Sequence, residues 1–167
     1  MRSWPFLLVF LCLGGCIRPL PQYEEPLPRT RVQSIRTTAY THTERDHRRY
    51  GKASALGTAL RCDKIHSAAA DWARWPAGTI FRIQETGETF EVDDYGWALA
   101  GRNTIDLYKP SWAEMCHWGV RRVHIEVIHW GNAWESYRRL KPARDYRHVR
   151  RMMREIREFY DEPAGTR

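Results

Sequence analysis

The stretch that decides the fold covers residues 92–108 and reads VDDYGWALAGRNTIDLY. It holds two of three aspartates that stand in short, distinctive contexts. Asp94 comes just before a glycine, and Asp106 lies inside the apolar run TIDLY, which predicts a buried strand. The third, Asp71, precedes the turn PAGT at residues 76–79. A carboxylate in a buried strand is costly unless a partner compensates it, and converging carboxylates can hold a proton at neutral pH. We therefore expect the three aspartates to form one functional site.

Short segments on both sides complete an ordered pattern. They are TAY at 38–40, YG at 50–51, GT at 57–58, AD at 70–71, PAGT at 76–79, DYG at 94–96, Gly101, IDLY at 105–108 and WGVRRV at 118–123. The region from about residue 37 to 131 thereby resembles the 3D domain, a family named for its three aspartates. That family is related to the C-terminal part of membrane-bound lytic transglycosylase A and to rare lipoprotein A. The chain departs from the family pattern at Trp97, where the family has glycine, and at Ala100, where it has lysine.

The resemblance implies a double-psi β-barrel and peptidoglycan glycan strands as substrate. Lytic transglycosylases need only one carboxyl group, because the C6 hydroxyl of the muramic sugar attacks its own anomeric carbon. We expect Asp94 to be this acid and base, since Gly96 permits a close approach of substrate. Asp106 and Asp71 would orient and tune it, and Asp106 is the second choice for the acid.

Aromatic side chains near the aspartates are candidates for binding sugar. Exposed indole rings stack on the apolar faces of sugars, whereas buried rings belong to the core. Most of the eight tryptophans must be core, but Trp72 and Trp97 flank the aspartates. We expect these two, with Tyr95 and Gly96, to contact the glycan. No cofactor and no metal are predicted, because the histidines of the first long loop lack a third ligand.

Three functions remain open at this point. The first is a lytic transglycosylase or glycan-cleaving hydrolase, which requires all three aspartates in one cleft. The second is a non-catalytic module that holds peptidoglycan in the same groove, as expansin-like double-psi barrels are thought to do. The third is a lipoprotein whose basic C-terminal helix recruits a partner enzyme.

The first sixteen residues predict export. A short basic start and an apolar run at 5–13 precede LGGC at 13–16, which resembles a bacterial lipobox with Cys16 as the lipidated residue. An ordinary secretory signal is the alternative. We expect a lipid-anchored protein of the cell envelope that faces the periplasm, in the outer membrane. The net charge of +7 favours a polyanionic partner, and export argues against nucleic acid as that partner.

Two cysteines belong to the exported part of the chain. Cys62 and Cys116 could form one disulfide in an oxidising compartment, or could remain as two buried free thiols. The sequence leaves these alternatives open, because it does not give the separation of the two Cα atoms.

Hydrophobic patterns divide the chain into four parts. Residues 1–16 are the signal, 17–35 a proline-rich tether, 36–131 the domain and 132–167 a basic helical extension. Strands are predicted at 36–40, 79–84, 89–92, 104–108 and 121–129, with a short helix from Ser111 to His117. Residues 65–70 are predicted to form either a strand or a turn of helix. A longer helix is predicted after Asp145, because six apolar residues from Val149 to Tyr160 recur at helical spacing. These elements suit a small β-barrel. Together with the fold that the resemblance implies, the predicted fold is mainly β: a six-stranded double-psi β-barrel with a short helix and an added C-terminal amphipathic helix.

Overall fold

The computed structural model describes residues 19–45 and 47–161. Within these residues the fold is mainly β. The strands are β1 (Val32–Tyr40), β2 (His66–Ala69), β3 (Ile80–Ile83), β4 (Thr89–Asp94), β5 (Thr104–Tyr108) and β6 (Arg121–His129). The α-helices are α1 (Trp112–Trp118), α2 (Ala133–Leu140) and α3 (Arg147–Phe159). Single 3₁₀ turns occupy Arg48–Tyr50, Trp97–Leu99 and Lys141–Ala143. The predicted strands and both predicted helices are present: β5 and β6 have the predicted ends, and the ends of the other elements are shifted. Residues 66–69, predicted as a strand or a turn of helix, form a strand, and α2 was not predicted.

The six strands form one sheet that closes in a ring, in the order β1-β5-β2-β4-β3-β6. β1 runs parallel to β5, and β2 runs parallel to β4, while the other four pairs are antiparallel. Exchanging strands 1, 2 and 3 with strands 4, 5 and 6 reproduces both the ring order and the direction of every pair. The topology therefore has an internal twofold symmetry that the sequence does not reveal.

The interior of the ring is filled by alternating apolar residues of the strands. Val123, Ile125 and Val127 of β6 are buried while His124 and Ile128 are exposed, which confirms the predicted alternation. The largest fully buried side chains include Trp72, Trp75, Phe81, Phe90, Ile105 and Leu107. Burying a side chain of this size contributes about 1.5–3 kcal/mol, so packing within the ring is a major source of stability.

The two C-terminal helices share the core of the ring. Val149, Met152 and Ile156 of α3 are fully buried and belong to the same apolar cluster as the strands. Leu140 of α2 joins them. Phe159, predicted to lie in the apolar stripe, is instead 42% exposed at the end of α3. The extension is therefore an integral layer of the fold. None of the helices in the described part of the chain is both long and apolar enough to cross a bilayer.

The predicted tether differs most from the structure. β1 begins at Val32, four residues before the predicted start at Arg36, because the pairing with β6 extends up to Glu126. The preceding segment lies on the body of the protein. The Glu24 carboxylate accepts hydrogen bonds from Asn103 N at 2.7 Å and from Arg102 Nε at 3.2 Å. Arg151 of α3 donates to the carbonyl of Pro21 at 2.9 Å. Residues 21–24 are thus held by specific contacts and do not form a free spacer.

One glycine after β6 is required by a close approach of two backbones. A Cβ atom on Gly131 would lie 2.1 Å from the Ala77 carbonyl oxygen and 2.6 Å from that of Pro76. We expect Gly131→Ala to lower the free energy of unfolding by about 1–3 kcal/mol, as overpacking usually does. Urea denaturation measures this change. Gly96→Ala is the control, since its Cβ would meet only Leu99 at 3.6 Å. Equal stability of the two variants would contradict the close approach.

Candidate functional site

A cleft of about 540 Å³ opens at one end of the ring. It lies between the end of β4, the loop after β1 and the start of α3. The lining residues are Thr38, Ala39, Tyr40, Glu44, His47, Arg49, Tyr50, Ala53, Ser54, Ala55, Ala69, Asp94, Tyr95, Gly96, Trp97, Ala98, Leu99, Asp106, Tyr146 and His148. Two of the three predicted aspartates are among them, and Asp71 is not.

Asp94 and Asp106 reach the cleft from the two neighbours of β2. Ala69 of β2 is in register with Asp94 on one side and with Asp106 on the other. Residues opposite one another in a sheet project to the same face, and adjacent strands lie about 4.8 Å apart. The two carboxylates therefore flank a single methyl group. A larger side chain at Ala69 would fill the space between them.

Asp94 is held as a fixed acceptor. Its Oδ1 accepts from Tyr95 N at 2.9 Å and from Ala55 N at 3.1 Å, and its Oδ2 accepts from the Tyr40 hydroxyl at 3.1 Å. Burial raises the pKa of Asp94, while these hydrogen bonds and nearby His47 oppose the rise. Donors that address both oxygens favour the ionised form. Asp94 is thus suited to remain an anion in a defined position.

Asp106 has a different environment. In the described part of the chain its carboxyl group has one hydrogen bond, a 2.6 Å contact from the Thr38 hydroxyl, and Asp106 is partly exposed to the cleft. Burial raises its pKa from 3.8 to about 7, and the negative charges of Glu44 and Asp94 add to the rise, against Thr38 and Arg36. A carboxyl group with this pKa is about half protonated at neutral pH. Asp106 can therefore both give and take a proton.

Asp71 does not belong to the cleft, which corrects the prediction of a three-aspartate site. It is fully buried and shapes two backbone segments: its Oδ1 accepts from Ala73 N at 2.8 Å and its Oδ2 from Gly101 N at 2.5 Å. Arg74 Nε lies 3.9 Å from Asp71 Oδ2 and 3.8 Å from Glu155 Oε2 of α3. Asp71 is therefore a structural residue that joins a turn, the segment before β5 and the C-terminal helix.

Asp93 is also structural. The residue before Asp94 on β4 is only 1% exposed. Its Oδ2 accepts from the Ser67 hydroxyl at 2.6 Å and from Arg61 Nη2 at 3.2 Å. The pairing of β2 with β4 shifts by one residue here, from Ala68 opposite Val92 to Ala69 opposite Asp94. Asp93 is therefore the extra residue of an irregular pairing, and its surroundings differ from those of Asp94.

Of the residues predicted to bind glycan, three line the cleft and one does not. Trp97, Tyr95 and Gly96 line the cleft. Trp72 is 1% exposed and does not, so its predicted contact with glycan is wrong. Its indole Nε1 donates to the Asp94 carbonyl at 2.9 Å, and its ring meets Tyr95 edge-on at 4.9 Å. Trp72 therefore packs in the core behind Asp94 and Tyr95, two residues that line the cleft.

Sequence reasoning missed the opposite wall of the cleft. Tyr146 and His148, at the start of α3, line it together with Tyr50 from the loop after β1. The His148 ring lies 6.0 Å from Tyr95 and 5.7 Å from Tyr146. Burial lowers the pKa of His148, which favours the neutral imidazole. No sequence signal marks these residues, because they flank the apolar stripe of α3 and lie outside the region that resembles the 3D domain.

The remaining predicted sites are cysteines. Cys62 and Cys116 are both exposed free thiols, so neither the disulfide nor the pair of buried thiols is found. Cys16 and the predicted signal at residues 1–16 lie outside the described residues. The described residues also contain no group of three or more His, Cys, Asp or Glu side chains arranged to hold a metal ion.

No family model matches this chain, and a search of curated proteins finds no significant match.

The raised pKa of Asp106 predicts a pH-dependent stability. The folded state holds the proton of Asp106 more tightly than the unfolded chain does. Its contribution to the free energy of unfolding is therefore fully present below pH ~4 and is lost as the pH rises to about 7. Asp106→Asn stays neutral throughout. Its free energy of unfolding, relative to that of the native protein, should therefore increase between pH 4.5 and pH 8.

Comparing the two proteins at each pH cancels the contribution of Glu155, whose pKa is also raised to about 7. The control is Asp145→Asn, which removes a carboxyl group from an exposed position outside the cleft and should not reproduce the increase. A pH-independent difference for Asp106→Asn, measured by urea denaturation, would contradict the raised pKa.

Proposed function

We propose that the cleft binds peptidoglycan glycan strands and cleaves them as a lytic transglycosylase, with Asp106 as the acid and base. The observation that carries the proposal is an accessible carboxyl group with a pKa of about 7 beside a second carboxylate that is fixed by three hydrogen bonds. Perturbed acids in a cleft are typical of catalytic sites. The sequence favoured Asp94 for this role. Both carboxylate oxygens of Asp94 already accept hydrogen bonds, however, so Asp106 is better suited to exchange a proton with substrate.

The chemistry needs no activated water. Protonated Asp106 gives its proton to the glycosidic oxygen as the bond to the anomeric carbon breaks. The C6 hydroxyl of the same muramic sugar then attacks that carbon, and the Asp106 carboxylate takes the hydroxyl proton, which restores the acid. Asp94, held as an anion, stabilises the positive charge that develops on the sugar ring. The charge of Asp94 also raises the pKa of Asp106 and so favours its protonated form.

The finer fold is part of the proposal. Two parallel strand pairs exchanged by an internal twofold symmetry are the connectivity expected of a double-psi β-barrel, the fold that the resemblance to the 3D domain implies. This agreement supports the relationship, although only two of the three aspartates share the cleft. The proposed setting is the cell envelope, with a lipid at Cys16 as the membrane anchor, the protein facing the periplasm and the outer membrane as its location.

A binding module is the second candidate. The lysine of the family pattern is replaced by Ala100, which is fully buried, and Asp71 is absent from the cleft. The cleft thus combines an aromatic wall with fewer charged groups than the family pattern implies. That composition suits a groove that holds glycan strands without cutting them.

Digestion of purified sacculi, with mass spectrometry of the products, distinguishes these functions. We expect soluble fragments that end in 1,6-anhydro-muramic acid, and activity that falls as the pH rises above about 7, because the acid form is then lost. Asp106→Asn should reduce cutting by about 10²–10⁴-fold. Asp94→Asn should move the fall in activity to lower pH, since it removes a neighbouring negative charge.

Fragments with reducing ends would instead indicate a hydrolase that uses water. Full activity of Asp106→Asn with loss in Asp94→Asn would transfer the acid role to Asp94. Co-sedimentation with sacculi and no soluble product would favour the binding module.

The aromatic wall predicts a separate effect on binding. Trp97→Ala and Tyr146→Ala each remove a ring from the cleft, and we expect each to weaken co-sedimentation with sacculi by about threefold to tenfold. The matched control is Trp112→Ala, which removes a 59% exposed ring that lies outside this cleft. Asp106→Asn should bind as well as the native protein. Equal loss in Trp112→Ala would show that the cleft is not where glycan binds.

A further inference from the structure

Four arginines form a stripe along the exposed side of α3. They are Arg147, Arg150, Arg154 and Arg157, at spacings of three, four and three residues, which place them on one face of a helix. The buried residues Val149, Met152 and Ile156 lie on the opposite face. The stripe is about 15 Å long at 1.5 Å per residue. Because the apolar face is used within the core, this helix presents charge and not an inserting surface.

The stripe is poorly neutralised by the protein itself. In the described part of the chain, only Arg154 has an acidic partner within 4.0 Å, Glu158 at 3.9 Å, and that pair is exposed. Arg150 donates to the backbone carbonyls of Arg144 and Asp145 and keeps its charge. Residues 133–160 hold nine basic and four acidic side chains, so most of the net charge of +7 is concentrated in this layer. Like charges held this closely repel one another unless an anionic partner is present.

The course of the N-terminal segment indicates which partner. Arg151, on the flank of the stripe, donates to the carbonyl of Pro21 at 2.9 Å. Pro21 lies five positions after Cys16, and five extended residue steps span at most about 18 Å. The contacts of Glu24 with Arg102 and Asn103 keep the segment after Pro21 on the body of the protein, so this segment does not lengthen the spacer. A lipid on Cys16 would therefore hold α3 close to the bilayer.

We propose that the arginine stripe docks on the surface of an anionic phospholipid bilayer. Phosphate groups are bound well by arginine, and a lipid headgroup surface offers many of them across the length of the stripe. Each arginine near such a surface strengthens docking by about fivefold. The stripe begins next to Tyr146 and His148, so docking would fix the orientation of the cleft relative to the membrane. This inference rests on the lipid anchor of the proposed function, but not on whether the cleft cuts glycan.

Arginine footprinting on the full chain tests the proposal. The protein is reconstituted into vesicles of phosphatidylethanolamine with phosphatidylglycerol, or of phosphatidylcholine alone, and treated with phenylglyoxal. Mass spectrometry then gives the modification rate of each arginine. We expect the four stripe arginines to react about fivefold or more slowly in the anionic vesicles only, and 0.5 M salt to remove the protection. The exposed Arg45, Arg48 and Arg122, which lie outside α3, should react equally in both.

A charge-matched pair of variants isolates the stripe. The triple variant R147Q/R154Q/R157Q leaves Arg150 as a reporter and should lose its protection, because docking weakens by about 100-fold. The control R45Q/R48Q/R122Q removes the same charge from other surfaces, and Arg150 should remain protected in it. Equal rates in both vesicles would overturn the proposal, as would protection by isolated sacculi without protection by vesicles. The comparison of lipids uses the native protein, so it remains decisive if a variant folds poorly.

Discussion

The position of the candidate site depends on one short strand that is paired on both edges. β2 has four residues and lies between β4 and β5, with Ala69 in register with an aspartate on each side. A closed sheet leaves its strands little freedom to slip, because a shift of one residue would turn every side chain to the other face. The pairing thus fixes which carboxylates meet, and a small residue between them keeps the space open.

Different features of the fold were predictable to different degrees. The strands and α1 follow from local alternation and from Ser111, whose side chain accepts from Glu114 N as an N-cap should. The role of Asp71 did not follow, because an aspartate before a turn looks the same whether it faces a cleft or accepts Gly101 N–H within the core. The prediction for Trp72 was wrong, and the opposite wall of the cleft was missed, for a related reason. Burial is decided by distant segments, and the pattern of a short stretch does not record them.

A buried polar cluster joins the added helices to the ring. Asp71, Arg74 and Glu155 are all nearly inaccessible, and Arg74 lies within 4.0 Å of both carboxylates. Burial and the charge of Asp71 raise the pKa of Glu155 to about 7. Replacing one partner would leave a charge buried without compensation, which is costly in a low dielectric. The C-terminal layer is therefore fastened by specific contacts as well as apolar packing, and its first residues complete the cleft.

The strand order also determines when the protein can fold. β1 pairs only with β5 and β6, so both of its edges stay open until residues 104–129 have been synthesised. Unpaired strand edges are templates for aggregation, and contacts this distant along the chain form slowly. The pairs of β2 with β4 and of β3 with β4 need no later segment, but β1 gains its first partner only with β5. The first strand of the chain therefore waits for the fifth, and the ring can close only when β6 is present.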